Sequence, residues 1–328
     1  MTELVFPLYN VHMPEAEYTN DQYEIRIELL EGAEEFENQR RENGSEYAHG
    51  YWHTANAYID QPIEEAKNII DVLSQILSFA LNRDVRFNGY YEGDDPDAPF
   101  LTMSICKFDI DNTNLKLIHG VPGGQSNPGV RIGPFLDTAL DTVLSANEGA
   151  KKQKMRTISQ FLEATAVNFA STKFIILWMA LESSANQNYT EYREAMGDLF
   201  TDDEIEWVIG TVLRSLESGL SDKQLDVLEY RFNKRYLYEH SAAVKIKIYL
   251  EYLDIGFDMD EIEEIIQHSR EIRNVVVHES DGSPIIDNTE RLVELRKIVI
   301  FVILRKLGIG KEFQERLITP QIMGPDIS

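Results

Sequence analysis

Residues 271–280 read EIRNVVVHES. Arg273 and His278 stand five apart at the tail of an apolar run, and Asn274 follows the arginine directly. Histidine is the side chain that exchanges protons near neutral pH. Arginine holds a phosphate through two parallel N–H groups and keeps its charge while negative charge builds up beside it. The trio is therefore suited to proton transfer next to an anion. A structural alternative stands beside this one. Arg273 could pair with Glu271 or another acid, and His278 could close a helix whose C-terminal carbonyls favour a cation.

Spacing alone does not choose between the two readings. With 17 arginines and seven histidines in the chain, roughly 0.4 occurrences of Arg-x4-His arise by chance. There are two, RNVVVH and RYLYEH (Arg235 to His240). In the second a tyrosine follows the arginine, which favours a structural role. In the first the context is a helix that begins at DMDEIEEII and carries Ile262, Ile265, Ile266, Ile272, Val275 and Val276. At about 100° per residue Asn274 and His278 share a face, while Arg273 lies about 140° from His278 and must swing back towards it. The turn ESDGSP then leads into a last helix, NTERLVELRKIVIFVILRKL.

The elements that must position these residues follow from periodicity. YEIRIELLEG (23–32) alternates in the manner of a half-buried strand, and YAHGYWHTANAYI (47–59) is read as another. QPIEEAKNIIDVLSQILSFALNRD (61–84) is a helix with Pro62 at its start and an apolar stripe from Ile63 to Ala80. Strand-like pieces VRFNGYY, FLTMSICKF and LKLIHGV follow. GVPGGQSNPG (120–129) reads as a linker; it lacks the Lys-Ser/Thr ending of a phosphate loop. From Pro134 onward helices are expected over 134–146, 152–170, 172–187, 201–218, 221–238, 240–254, 258–278 and 288–307. Thr201/Glu204 and Asp287/Glu290 have capping-box spacing, and Gly256, Gly308 and Gly310 are candidate stops. The expected fold is an α+β domain over 1–130 followed by an all-α helical bundle over 131–328.

Bulk properties bound the function. The 56 acids against 31 bases give a net charge of −25, which repels nucleic acid at long range. An adaptation to high salt is an alternative reason for that charge. The excess is uneven: residues 1–150 hold 26 acids and 9 bases, residues 151–328 hold 30 and 22, so an anionic ligand is expected on the second half. One cysteine, Cys106, excludes an internal disulfide and suits a reducing, cytoplasmic setting. The N-terminus has no leader pattern, and the longest apolar runs, 173–181 and 298–304, are too short to span a bilayer.

Other candidates are secondary. Residues 229–252 gather Arg231, Lys234, Arg235, Lys245 and Lys247 among aromatics, a pattern that stacks bases and holds phosphates, or else a solvated helix face over a core stripe. His49 and His53 lack a third metal ligand, DIDNTN (109–114) lacks the glycine and glutamate of a calcium loop, and no metal or cofactor is expected. Trp178 and Trp207 are assigned to the core.

The helical half, about residues 150–310, resembles the HEPN (higher eukaryotes and prokaryotes nucleotide-binding) domain. RNVVVH matches its signature of Arg, a polar residue, three residues and His on the penultimate helix. FIILWMALESSAN (174–186) is similar to an early HEPN helix, with Glu182 as the site acid. The resemblance implies a metal-independent endoribonuclease, a toxin or antiviral effector, with Arg273, Asn274 and His278 catalytic. Arg231, Lys234, Arg235, Lys245, Lys247 and Arg270 would hold RNA. It further implies a homodimer through the C-terminal domain, apolar helices 172–181 and 292–304 supplying surface, and an antitoxin or regulatory partner. The competing reading is a non-catalytic dimerisation or nucleotide-binding module with a sensor N-terminal domain. The acidity favours that second reading, and the intact motif favours the first.

Overall fold

The computed structural model describes residues 3–11, 13, 15–33, 53–81, 84–87, 89–93, 132–167, 169–189, 192, 200–217, 219–232, 240–279, 282–283, 285 and 289–311. The described strands are β1 (Leu4–Tyr9), β2 (Glu17–Asn20), β3 (Ile25–Leu29), β4 (His53–Ile59), β5 (Arg86–Phe87) and β6 (Tyr91–Glu92). The described helices are α1 (Ile63–Leu81), α2 (Ile132–Leu144), α3 (Glu148–Ala166), α4 (Ala170–Gln187), α5 (Asp202–Leu216), α6 (Asp222–Phe232), α7 (Ala242–Tyr252), α8 (Met259–His278) and α9 (Thr289–Lys306). A small antiparallel sheet is thus followed by a mostly helical region. FLTMSICKF, LKLIHGV, the linker-like segment and Asp287 lie outside the described residues.

The sheet runs β2-β3-β4-β1-β5, with β6 also on β1. Register puts Leu4, Phe6 and Leu8 level with Ile59, Ala57 and Ala55, and these level with Ile25, Ile27 and Leu29. Strand side chains alternate between faces, so these rows form one apolar face. Pro7 has no N–H to donate. It falls between Leu4–Val5, which pair with β6, and Leu8–Tyr9, which pair with β5, so the neighbouring strand is split at the proline. The opposite face carries Arg26, whose guanidinium sits 3.8 Å above the Tyr58 ring and pairs with Glu3 at 3.2 Å and with Glu28.

Helix α1 lies against β1 and β5 and also packs on α2 and α3. Its stripe from Ala66 to Leu81 is buried, and Phe79 meets Phe161 of α3 edge-on at 5.5 Å. Helix α2 is tied to the sheet by Asp137, whose Oδ1 accepts from Tyr18 Oη and Asn20 Nδ2, both at 2.8 Å. Helix α9 packs on α3, and Leu295 with Ile298 through Leu304 is buried all round. Lys154 Nζ donates to the Lys306 carbonyl at 3.0 Å, closing the C-terminus of α9.

The chain forms two compact units, residues 1–181 with 268–328, and residues 182–267. Helices α2, α3 and α9 share the first unit with the sheet. Trp178 is buried as expected, but Trp207 is 67% exposed and is not core. Trp207 lies about 160° around α5 from both Ile205 and Ile209, off the helix's apolar stripe. Among the described residues no helix is long and apolar enough to cross a membrane.

Candidate functional site

Helix α8 forms because apolar residues recur at helical spacing after an acidic first turn. Asp258 Oδ1 accepts from Asp260 N at 2.8 Å, satisfying one of the first free donors. Ile262, Ile265, Ile266, Ser269 and Ile272 are buried and make one stripe along the helix. Arg270, Asn274, Val277 and His278 are exposed on the other side, and Arg273 is half-buried at the stripe's edge.

Arg273 Nη1 donates to Asn274 Oδ1 at 3.1 Å. Among the described residues Arg273 makes no ion pair, so the pairing with Glu271 allowed by the sequence is not formed. Asn274 orients the arginine, not the histidine. His278 is the last residue of α8, one turn beyond Asn274, and the helix closes with Glu279 N on Val275 O at 2.9 Å. The following turn touches the start of α4: a Cβ placed on Gly282 would lie 3.5 Å from Ser171 Cβ. The motif is thus carried on a helix with a buried isoleucine stripe, with Asn274 and His278 facing solvent and Arg273 at the stripe's edge.

Arg270 stands one turn before Asn274, so Arg270, Asn274 and His278 make an exposed row at four-residue spacing. Glu182 is half-buried and belongs to the second compact unit, whereas Arg273, Asn274 and His278 belong to the first. In the second unit Arg231 is exposed at the end of α6. Lys247 pairs with Glu263. Lys245 Nζ stands 4.3 Å above the Tyr189 ring, beside a tyrosine cluster in which Tyr192 and Tyr249 are 5.8 Å apart. Two of the cations expected to hold RNA therefore already have intramolecular contacts. Lys234 and Arg235, and with them most of RYLYEH, lie outside the described residues, as does His49.

A second group of bases is one the sequence reading did not single out. On α3, which packs on both α1 and α9, Lys151 Nζ donates to Asn68 and also interacts with the Asp71 carboxylate, Lys154 reaches the end of α9, and from α9 Lys306 Nζ donates to Thr157 Oγ1 at 2.9 Å. Burial, and then the nearby Lys154, push the Lys306 amine down to about 8. Only the pairing of i, i+3 lysines on α3 hinted at this; the third comes from a helix over a hundred residues away.

Comparison of the chain with protein-family models, with curated proteins and with solved structures finds no match.

Proposed function

We propose that the protein is a metal-independent endoribonuclease of HEPN type, acting through Arg273, Asn274 and His278. The observation that carries this reading is the exposure of Asn274 and His278 beside an arginine that makes no ion pair among the described residues. A structural Arg273 would pair with an acid, and among the described residues its partner is the adjacent asparagine instead; His278 faces water at the end of α8, a place that suits a cation in either reading. RNA supplies the nucleophile. His278 takes the proton of the 2′-hydroxyl as its oxygen bonds to phosphorus. The P–O5′ bond breaks, and the 5′ oxygen leaves with a proton delivered by a second acid. Arg273 holds the phosphate oxygens as charge accumulates.

One copy offers a single histidine in this motif, so the second acid is His278 of another copy in a symmetric homodimer with an isologous interface. Val277 and Val293, exposed on α8 and α9, and Met179 on α4 supply apolar surface on helices of the same unit. The net charge of −25 and the engaged lysines favour the alternative, a non-catalytic binding module. The two are separated by incubating purified protein with RNA in excess EDTA and mapping the ends. The expected products carry a 2′,3′-cyclic phosphate and a 5′-hydroxyl, RNA 2′-O-methylated at the cut is inert, and Arg273→Ala and His278→Ala are inactive. Cleavage that needs magnesium and leaves 5′-phosphates, or no cleavage by a protein that sediments as a strict monomer, rejects the proposal.

A further inference from the structure

Helices α5 and α6 are built differently from the rest of the molecule. Of their residues only Ile209 is buried. Among the described elements each packs principally on the other. Their apolar stripes, Ile205, Val208, Val212 and Leu216 on α5 with Leu225, Leu228 and Phe232 on α6, are only half-buried. Trp207, Val227 and Tyr230 are exposed outright.

Helices of 15 and 11 residues are marginal in water by themselves, because most helix stability in proteins comes from packing an apolar face. The N-termini of both helices are nevertheless held by local side-chain contacts. Thr201 and Glu204 form a reciprocal capping box, and Ser221 N and Oγ donate to Gln224 Oε1 at 2.9 and 2.8 Å. A hairpin whose stripe is only half-buried and which, among the described residues, packs principally on itself is two-thirds of a three-helix bundle. Its rim identifies the missing third. Residues 201–232 hold eight acids (Asp202, Asp203, Glu204, Glu206, Glu217, Asp222, Asp226, Glu229) and three bases (Arg214, Lys223, Arg231), a local charge of −5.

We propose that the α5–α6 hairpin is a docking site for a basic amphipathic helix of another protein, whose apolar face completes a three-helix bundle and whose lysines and arginines meet the acidic rim. A second copy of this chain is disfavoured on charge, since it would set one −5 surface of a −25 chain against another. The inference does not depend on the ribonuclease reading and concerns the second compact unit alone.

The test uses the full chain and hydrogen exchange read by mass spectrometry over residues 202–232. The probe is a synthetic Leu/Lys peptide of about 18 residues with leucines at helical i, i+3, i+4, i+7 spacing. A scrambled peptide of equal composition and a Leu/Glu peptide of the same pattern are the controls. The patterned Leu/Lys peptide should slow exchange there by about tenfold or more, with no change over residues 53–81, and the two controls should not. Neutralising the exposed acids that flank the stripe with Asp202→Asn, Glu206→Gln and Glu229→Gln, which leaves the stripe intact, should weaken binding by about tenfold at low salt. Val212→Glu with Leu228→Glu should abolish it. Equal protection by the scrambled peptide, protection spread over other acidic helices, or a hairpin already protected in a dimer of the peptide-free protein overturns the proposal.

Discussion

Arg273 donates to Asn274 Oδ1, so the asparagine amide fixes the fork that would grip phosphate. Asn274→Ala should therefore lower RNA cleavage at least tenfold while shifting stability by less than about 0.5 kcal/mol, as for an exposed helix position; cleavage rates and urea unfolding read the two effects. One turn earlier, Ser269 is fully buried and its Oγ has no hydrogen-bond partner among the described residues. Removing that hydroxyl takes away a desolvated polar group, so Ser269→Ala should stabilise the fold by up to about 1 kcal/mol without loss of activity. A decrease would mean the hydroxyl is satisfied. At this scale the sequence told which residues face out: the isoleucine stripe of α8 leaves Asn274 and His278 opposite it. It did not tell what the lysines do, because the contacts of Lys247 and Lys245, Glu263 and Tyr189, lie on other elements.

Helix α9 ends in a closed loop of backbone hydrogen bonds. Gly308 N donates to Arg305 O at 3.0 Å and Ile309 N to Leu304 O at 2.9 Å, with Gly308 at φ +76°. A Cβ there would meet left-handed strain and lie 2.5 Å from Thr142 Oγ1 of α2. Gly308→Ala should cost about 1–3 kcal/mol in thermal or urea unfolding. Thr142→Ala in the same chain should restore part of it, and no restoration would leave backbone strain as the whole cause. Gly308 was legible as a stop, as was the Thr201–Glu204 box, since both are local signals. Stripes placed the helices to within a few residues, and alternation found β3. Strands β1 and β2 had no such signal: LVFPLY is apolar without alternation and contains a proline, and EYTN is four residues long. The sheet's order, set by contacts between distant segments, could not be read locally.

Across the whole molecule, the Lys306 amine provides a pH signature. Its folded pKa of about 8 lies below the value of about 10.4 for an unfolded lysine. Between those values the unfolded chain binds more protons, so stability rises with pH. Lys154, also lowered by burial, acts in the same direction. Urea midpoints should therefore increase from pH 7 to 9.5, before Tyr18 and Tyr192, both raised chiefly by burial, contribute the opposite trend above pH 10. Lys306→Met should be more stable than the parent at pH 7 and lose most of the rise. A flat profile in the parent would mean that the amine is solvated.

The hydrogen bond from Lys154 to the carbonyl of Lys306 spans 152 residues of chain, and the whole second unit is synthesised between its two ends. During translation at about 5–20 residues per second, α3 waits roughly 8–30 s for α9 to emerge and cover it. Residues 182–267 are contiguous and have no such delay. The first unit is thus completed last although it begins first. A ribosome stalled at codon 267 should present a nascent chain whose α3 flank binds hydrophobic-segment chaperones and is cut by protease, and release of the remaining codons should abolish both.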